Sequence, residues 1–184
     1  KGVSMKTIIT MILMISVSLS QGVVYMDLGL APQAEIEVSA AGMSISDTED
    51  LETGSLSIGY YQPIYQISDN MGLFVGGSYE VMPATDEDDL EFGFMALYSS
   101  VGYSLSDQLS AWGSLGLSIP TSSDLTDADA EMGMHMGMGV TYSATDKIGV
   151  ALGYVVNSTS TDMGDGLSAD WSFSKIALSL GYRL

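Results

Sequence analysis

The chain is 184 residues long, 46% hydrophobic and only 15% charged, and it has 23 acidic side chains against five basic ones. This length suits one domain, and because soluble domains carry about 25% charged residues, the deficit favours a protein whose outer face meets lipid. The acidic excess excludes nucleic-acid partners, which require clustered Lys and Arg. The lack of cysteine excludes disulfides, thiolate metal sites and lipidated cysteines.

The N-terminal segment predicts export. A short cationic start at residues 5–7 is followed by the apolar residues 8–19, and Ser18 and Ser20 then offer a small-x-small cleavage site. This is the layout of a secretory signal peptide. We place it at residues 1–22, counting four residues upstream of the true start.

The stretch that follows leaves two interpretations open. No charge appears from residue 7 to residue 26, which is about the length of a membrane-spanning helix. The Ser-rich, Gln-Gly end of that stretch instead favours cleavage. Residues 23–34 are therefore predicted to be a lead-in or leader remnant, and residues 35–184 to form the folded domain.

Eight alternating segments come next, each long enough for the roughly 9–11 residues of a tilted membrane strand. The predicted strands span residues 35–45, 54–67, 71–81, 90–105, 109–119, 130–143, 148–157 and 171–184. Three connections, at 68–70, 106–108 and 144–147, are tight turns rich in Ser, Thr, Asp and Asn. The other four are longer and acidic. Short turns on one side and longer loops on the other are typical of a transmembrane β-barrel.

A Tyr-x-apolar tripeptide closes every second strand at nearly even intervals. Its four tyrosines are Tyr65, Tyr103, Tyr142 and Tyr182. Such spacing predicts that the four rings lie at one height of the barrel, as an aromatic girdle at the level of the lipid headgroups.

Side-chain parity indicates which face meets lipid. In the strand predicted at 130–143, one face carries Met132, Met134, Met136, Met138, Val140 and Tyr142, and the other carries Gly133, His135, Gly137, Gly139 and Thr141. Because the girdle tyrosine lies at the end of the bulky face, we expect that face to point outward into hydrocarbon. In the alternative, a soluble secreted sandwich, the same face would form the core.

Pro63 interrupts this alternation in the second predicted strand. Counting back from Tyr65 in an undisturbed strand turns Ile58 and Tyr60 inward. Proline in sheets is confined largely to edges and bulges. We therefore predict a bulge at Pro63, which restores an apolar outer face.

The repeated Tyr-x-apolar element before a Ser/Thr-Asp turn, and the ending Leu-Ser-Leu-Gly-Tyr-Arg-Leu at 178–184, resemble small bacterial outer-membrane barrels of the OmpA, OmpX and OmpW type. The ending looks like the C-terminal strand signal that the assembly machinery of such proteins reads, although Leu184 stands where the family usually has Phe. The resemblance implies an all-β fold, an eight-stranded antiparallel up-and-down transmembrane β-barrel, in contact with outer-membrane lipid and lipopolysaccharide. It implies no particular activity, because one barrel hosts many functions.

Five ionisable residues are predicted on inward faces: Glu80, Glu131, His135, Lys175 and Arg183. An eight-stranded barrel is just wide enough inside to be filled by side chains, so the expected role is a packed lumenal polar network. A gated narrow conduit is one alternative. Another is a lipid hydrolase or acyltransferase in which His135 acts with a serine and a carboxylate.

No cofactor, metal site or catalytic residue is predicted. The acidic loops match no calcium-binding pattern, so we expect at most weak divalent cations there. The expected function is that of an integral outer-membrane protein, exported through its signal peptide, with acidic extracellular loops and a non-enzymatic role in structure or surface interaction. A narrow pore for small or amphipathic solutes and the lipid enzyme are the alternatives.

Overall fold

The computed structural model describes residues 22–40, 43–87, 90–127, 129–164 and 167–184. Its strands are β1 (Val23–Ala40), β2 (Met43–Asp50), β3 (Leu56–Ser68), β4 (Met71–Met82), β5 (Ala84–Thr85), β6 (Glu91–Phe92), β7 (Phe94–Ser104), β8 (Leu109–Pro120), β9 (Gly133–Ser143), β10 (Ile148–Gly164) and β11 (Leu167–Arg183). A short helix, α1 (Ser123–Asp127), lies between β8 and β9. None of the helices in the described ranges has the length and hydropathy of a membrane-spanning helix.

Eight strands form a closed antiparallel ring. Their order is β1-β3-β4-β7-β8-β9-β10-β11, and β11 returns to pair with β1 along its whole length. Within the described residues, β2 pairs with β1 alone, and β5 and β6 form a small separate hairpin. Neither joins the ring, so the barrel has eight strands, as predicted.

The ring strands present apolar side chains outward, whereas their inward faces carry small, polar and aromatic side chains. On β9, Met134, Met136, Met138, Val140 and Tyr142 are exposed, whereas His135 is buried. The predicted eight-stranded antiparallel up-and-down transmembrane β-barrel is therefore confirmed. The fold thus has an apolar exterior, which suits contact with hydrocarbon.

The prediction for residues 23–34 was wrong. They are not a lead-in but the first part of β1, which starts with Val23 opposite Tyr61 of β3 and Arg183 of β11. Gly22 also belongs to this end of the barrel, because its carbonyl accepts a hydrogen bond from the Leu184 amide at 3.0 Å. The rest of the predicted signal peptide lies outside the described residues.

Two features concealed the first strand in the sequence. Asp27 interrupts an otherwise apolar alternation, and its side chain points into the lumen between neighbours on β3 and β11. A bulge between Leu30 and Gln33 then breaks the alternation, and Ala31 adopts a φ of 46° there. The strand predicted at 35–45 in fact covers the upper end of β1 and the start of β2.

The bulge predicted at Pro63 is confirmed. The register between β3 and β4 shifts between Pro63 and Tyr65. Below this shift Tyr65 points outward and is 67% exposed, and above it Ile58 is again exposed to the outside. The extra residue thus keeps Ile58 and Tyr65 on the same outer face of β3.

The two ends of the barrel differ in build. The tight turns lie at one end, called here the turn end, and the longer connections lie at the other, called the loop end. At the loop end, β1, β10 and β11 continue beyond the apolar belt and, with β2, form a protruding sheet. Its outer face is polar, with Glu35 and Glu37 of β1 beside Asp170 and Ser172 of β11.

A small hydrophobic core fills the loop end of the lumen. Phe173 lies at its centre, with ring centroids 4.7 Å from Phe92 and 5.0 Å from Phe94. The other members are Ala34, Leu51, Ala84 and Leu125, with Ala130 and Trp171 packed against them. We call this group the loop-end cluster, and it closes the lumen on that side.

Candidate functional site

The turn end of the lumen contains a cavity of about 720 Å³. Its lining begins at the tight turns, with Asp107, Asp146 and Lys147, and reaches up to Phe94 beneath the loop-end cluster. The space exists because many inward positions are glycine or serine. Three of these glycines also make room for one large ring, since side chains at Gly137, Gly139 or Gly153 would collide with Trp112.

An ion pair crosses the top of this cavity. Lys175 of β11 is paired with Glu80 of β4, and both side chains are nearly buried. The Lys175 ammonium also donates to the hydroxyls of Ser55 at 2.9 Å and Ser57 at 3.2 Å, while Glu80 Oε2 accepts from the Phe94 amide at 2.9 Å. The pair thus ties β3, β4, β7 and β11 together just below the loop-end cluster.

His135 is held by a second polar chain on the opposite wall. Its Nδ1 lies 2.8 Å from Asn157 Oδ1, and its Nε2 lies 3.3 Å from Ser114 Oγ. Because an amide oxygen only accepts, Nδ1 carries the proton and Nε2 accepts from the Ser114 hydroxyl. The imidazole stacks on Tyr98 at 5.2 Å, and the Tyr98 hydroxyl lies 2.6 Å from that of Tyr25.

Asp27 is the lumenal acid that the sequence prediction missed. It lines the cavity, lies near Lys175 and Glu80, and is within hydrogen-bonding reach of the Ser179 hydroxyl. Its Oδ1 atom is buried and makes no hydrogen bond to any described residue. The alternation of Val24, Met26 and Leu28 around it could have revealed an inward-facing acid on a strand.

Of the five residues predicted for the lumenal network, the structure brings together Glu80, Lys175 and His135 around one cavity. Arg183 lines the same cavity but sits at its mouth and is exposed. The prediction for Glu131 was wrong: β9 begins only at Gly133, so Glu131 lies in the preceding connection and is exposed.

The four tyrosines of the predicted girdle all point outward at the turn end. Tyr103, Tyr142 and Tyr182 are 44–49% exposed and Tyr65 is 67% exposed. Strand register places them near the same level, with Tyr142 opposite Leu109 and Val150. Tyr182 lies opposite Ile148, at the start of β10.

The protruding sheet is the second distinctive region. Strand β2 is exposed along its whole length, and among the described residues it pairs with β1 on one side only. It carries Asp47, Glu49 and Asp50, and next to it Glu37 lies directly opposite Asp170 across β1 and β11. Like charges opposite each other are unfavourable, and a bound metal ion would relieve that repulsion. However, no group of three acidic or His side chains in the described ranges could hold a metal ion.

No protein-family model and no curated protein matches this chain. Among solved structures, the chain is similar to Ail, the attachment invasion locus protein of Yersinia pestis, at 14% identity and a TM-score of 0.43, over 89% of this chain and 99% of that one. It is also similar to Neisserial surface protein A at 11% identity and a TM-score of 0.45, over 88% and 97% of the two chains. A third similar structure is the outer-membrane protease OmpT of Escherichia coli, at 9% identity and a TM-score of 0.46, over 91% and 98%.

Likeness at these levels carries no argument about activity. The fold assignment rests on the closed ring of strands and on the direction of their side chains. The resemblance seen in the sequence agrees with this fold.

Proposed function

We propose that this chain is an integral protein of the outer membrane of a Gram-negative bacterium, and that it acts without enzymatic chemistry, by surface interaction through the acidic sheet at its loop end. The observation that carries the proposal is strand β2, an exposed acidic edge held outside the apolar belt. A strand with one unpaired edge offers its backbone amides and carbonyls to an added strand. Its carboxylates favour a basic partner.

The surroundings of the barrel follow from its outer face. The apolar belt would contact outer-membrane lipid, and the acidic rim would meet lipopolysaccharide phosphates through weakly bound divalent cations. The last strand, β11, would be the segment read by the outer-membrane assembly machinery, with Tyr182 and Leu184 exposed on its outer face. The predicted signal peptide would direct export.

Membrane insertion is tested by gel mobility and detergent partitioning. Folded barrels migrate faster unboiled than boiled, and we expect this chain to do so and to enter the detergent phase. A chain that remains in the aqueous phase would contradict the membrane assignment.

The surface role is tested by removing equal charge from the two ends. The triple variant Asp47→Asn, Glu49→Gln, Asp50→Asn alters β2, and the control Asp69→Asn, Asp107→Asn, Asp146→Asn alters the three turns. Binding of a peptide of alternating Lys and Val to the protein in lipid nanodiscs should weaken about ten-fold in the first variant and stay unchanged in the second. Equal weakening in both variants would mean that binding depends on the net charge of the protein alone, and would contradict the role of β2.

Conduction of solutes is the first alternative. The loop-end cluster and the Lys175–Glu80 pair fill the lumen above the cavity, which argues against an open path. We expect no single-channel current in planar bilayers. Steady conductance steps from the purified protein would favour the pore.

A hydrolase is the second alternative, and one observation favours it. Ser114, His135 and Asn157 stand in the order nucleophile, base and orienting group. In catalysis Ser114 Oγ would attack an ester carbonyl while its proton passes to Nε2, and the leaving alcohol would take that proton. However, the strand amides around the lumen are engaged in the ladder, and Asp27 and Glu80 disfavour an oxyanion nearby.

A fluorophosphonate probe tests this hydrolase directly. We expect no covalent labelling of the folded protein in detergent. Labelling that disappears in Ser114→Ala, but persists in the matched lumenal variant Ser110→Ala, would overturn the non-enzymatic assignment.

A further inference from the structure

We propose that the lumenal cavity binds a small organic cation, namely a primary ammonium group carried on an aromatic or short apolar body. The site lies at the turn end and uses none of the residues of the acidic sheet. It is therefore independent of the surface role proposed above, and either proposal can fail alone.

Space and access are the first support. A cavity of about 720 Å³ lies within the usual size range of small-molecule sites. Its mouth is lined by the turns, with Asp107 and Asp146 balanced by Lys147 and Arg183. Since the loop-end cluster packs across the other side, the described residues leave the turn end as the route by which a ligand enters.

The ionisable groups around the cavity indicate the charge of the ligand. Asp27 and Glu80 place two carboxyl groups at its upper end, whereas Lys175 supplies one ammonium there. The ammonium of Lys175 has only three donors, and these are used by Glu80, Ser55 and Ser57. Asp27 therefore receives none of them.

The hydrogen bonding of Asp27 is incomplete as well. Ser179 serves its carboxylate, but Oδ1 is buried without a hydrogen bond from the described residues. A carboxylate held away from water without a donor is costly. Because the terminal torsion of Asp is soft, either oxygen can turn toward the cavity, where an ammonium would supply both the charge and the hydrogen bonds.

The walls specify the rest of the ligand. Tyr25, Tyr61, Phe74 and Trp112 all line the cavity. Tyr61 is flanked by the other two rings of its wall, with centroids 5.8 Å from Tyr25 and 5.8 Å from Phe74. Faces of Tyr and Trp attract cations and bury apolar groups. Together with one unpaired carboxylate, these walls favour an arylalkyl or alkyl amine.

Two other classes of ligand fit less well. A divalent metal needs several oxygen ligands in one shell, and among the described residues no group of three acidic or His side chains is placed to hold one. An anion would meet the excess negative charge of Asp27 and Glu80. The chemistry of the cavity thus selects a monovalent organic cation.

Calorimetric titration of the folded protein in detergent with benzylamine tests the proposal, with benzyl alcohol as its neutral counterpart. We expect saturable one-to-one binding of benzylamine, and binding of the alcohol weaker by at least about ten-fold, since a charge-assisted hydrogen bond is worth that much. Asp27→Asn should weaken benzylamine to the same extent. Partitioning of the amine into detergent micelles contributes equally to the titrations of the wild type and of this variant, so their difference reports binding at Asp27.

A second pair of variants keeps the test decisive if Asp27→Asn does not fold. Ala151 faces the lumen opposite Ser179, and Leu152 faces lipid on the same strand. Ala151→Phe should abolish benzylamine binding by filling the cavity, whereas Leu152→Phe should leave it unchanged, with unboiled gel mobility reporting the fold of each. Equal binding of amine and alcohol, unchanged binding in Asp27→Asn or Ala151→Phe, or competition by calcium chloride would each overturn the proposal.

Discussion

The two ends of the lumen are lined by the same eight strands, yet one is filled with apolar rings and the other is an open polar cavity. At the loop end, the ring of Phe173 packs 4.7 Å from that of Phe92 and 5.0 Å from that of Phe94, beneath the small helix and hairpin of the connections. At the turn end, glycine and serine occupy many inward positions and leave a space of about 720 Å³.

This contrast shows that alternation alone does not decide whether a barrel is filled. Alternation assigns a side chain to the lumen or to lipid, whereas the size of the inward residues and the chain folded over the end decide what happens inside. The loop end is packed like the hydrophobic core of a small soluble protein, and the turn end is an open cavity. The boundary between them is the Lys175–Glu80 pair.

The largest expected effect comes from removing the centre of the loop-end cluster. Phe173→Ala should lower the free energy of unfolding by about 3–5 kcal/mol, because the ring is buried against two others. Phe74→Ala, in the half-open wall of the cavity, should cost less than half as much. Urea unfolding from lipid vesicles, followed by fluorescence, measures both, and equal losses would mean that the two ends are equally packed.

Lysine substitutions on the outer face should have different effects on stability in the apolar belt and in the protruding sheet. Leu178 and Ser172 lie on the same face of β11, one within the belt and one beyond it. Leu178→Lys should cost about 2–4 kcal/mol of unfolding free energy, whereas Ser172→Lys should change it by less than about 0.5 kcal/mol. The same vesicle unfolding assay measures both variants. A similar loss of unfolding free energy at both positions would mean that Ser172 also lies within the apolar belt.

Neutralising the boundary pair should have an intermediate effect. Glu80→Gln keeps the shape of the side chain but removes the charge that Lys175 faces, so we expect a loss of about 1–3 kcal/mol. Glu37→Gln, an exposed acid on the protruding sheet, should be neutral or slightly stabilising, because it lies opposite Asp170. If Glu80→Gln proved as mild as this control, the pair would have no role in holding the barrel.

The smallest effect is expected at the bulge that joins the two parts of β1. Ala31 has a φ of 46°, in the left-handed region that favours glycine. Ala31→Gly should therefore stabilise the barrel by about 1 kcal/mol, while Ala34→Gly, a few residues on in ordinary strand conformation, should destabilise it by a similar amount. Unfolding from lipid vesicles measures both variants. Shifts of the two unfolding midpoints in the same direction would contradict backbone strain at Ala31.

Particular residues show how far the sequence could be read. The outward faces of β9 to β11, the girdle tyrosines and the bulge at Pro63 follow from a period of two and from the absence of an amide hydrogen on proline, so they were accessible from local pattern. The start of β1 was not, because Asp27 and the bulge at Ala31 interrupt its apolar alternation. Glu131 was misplaced for the related reason that parity was extended past the true start of β9.

The candidate site was even less accessible. Glu80, His135 and Lys175 could be placed inside by parity, but Asn157, Ser114 and Ser179 carry no motif, and their partners lie on other strands. Only strand register sets Ser114 and Asn157 on either side of His135. Ring closure then places Asp27 of the first strand beside Ser179 of the last.

The sequence by itself determined the architecture of this protein: eight alternating strands, short turns at one end, and an oily face turned outward. These are local properties, fixed by the two-residue period of a strand and by the cost of exposing polar groups to hydrocarbon. The tertiary structure alone decided that one end of the lumen is filled and the other open, and that the Lys175 ammonium donates to Glu80 and not to Asp27. Those outcomes depend on which residues of distant strands come to lie at the same height, and that is settled only when the sheet closes.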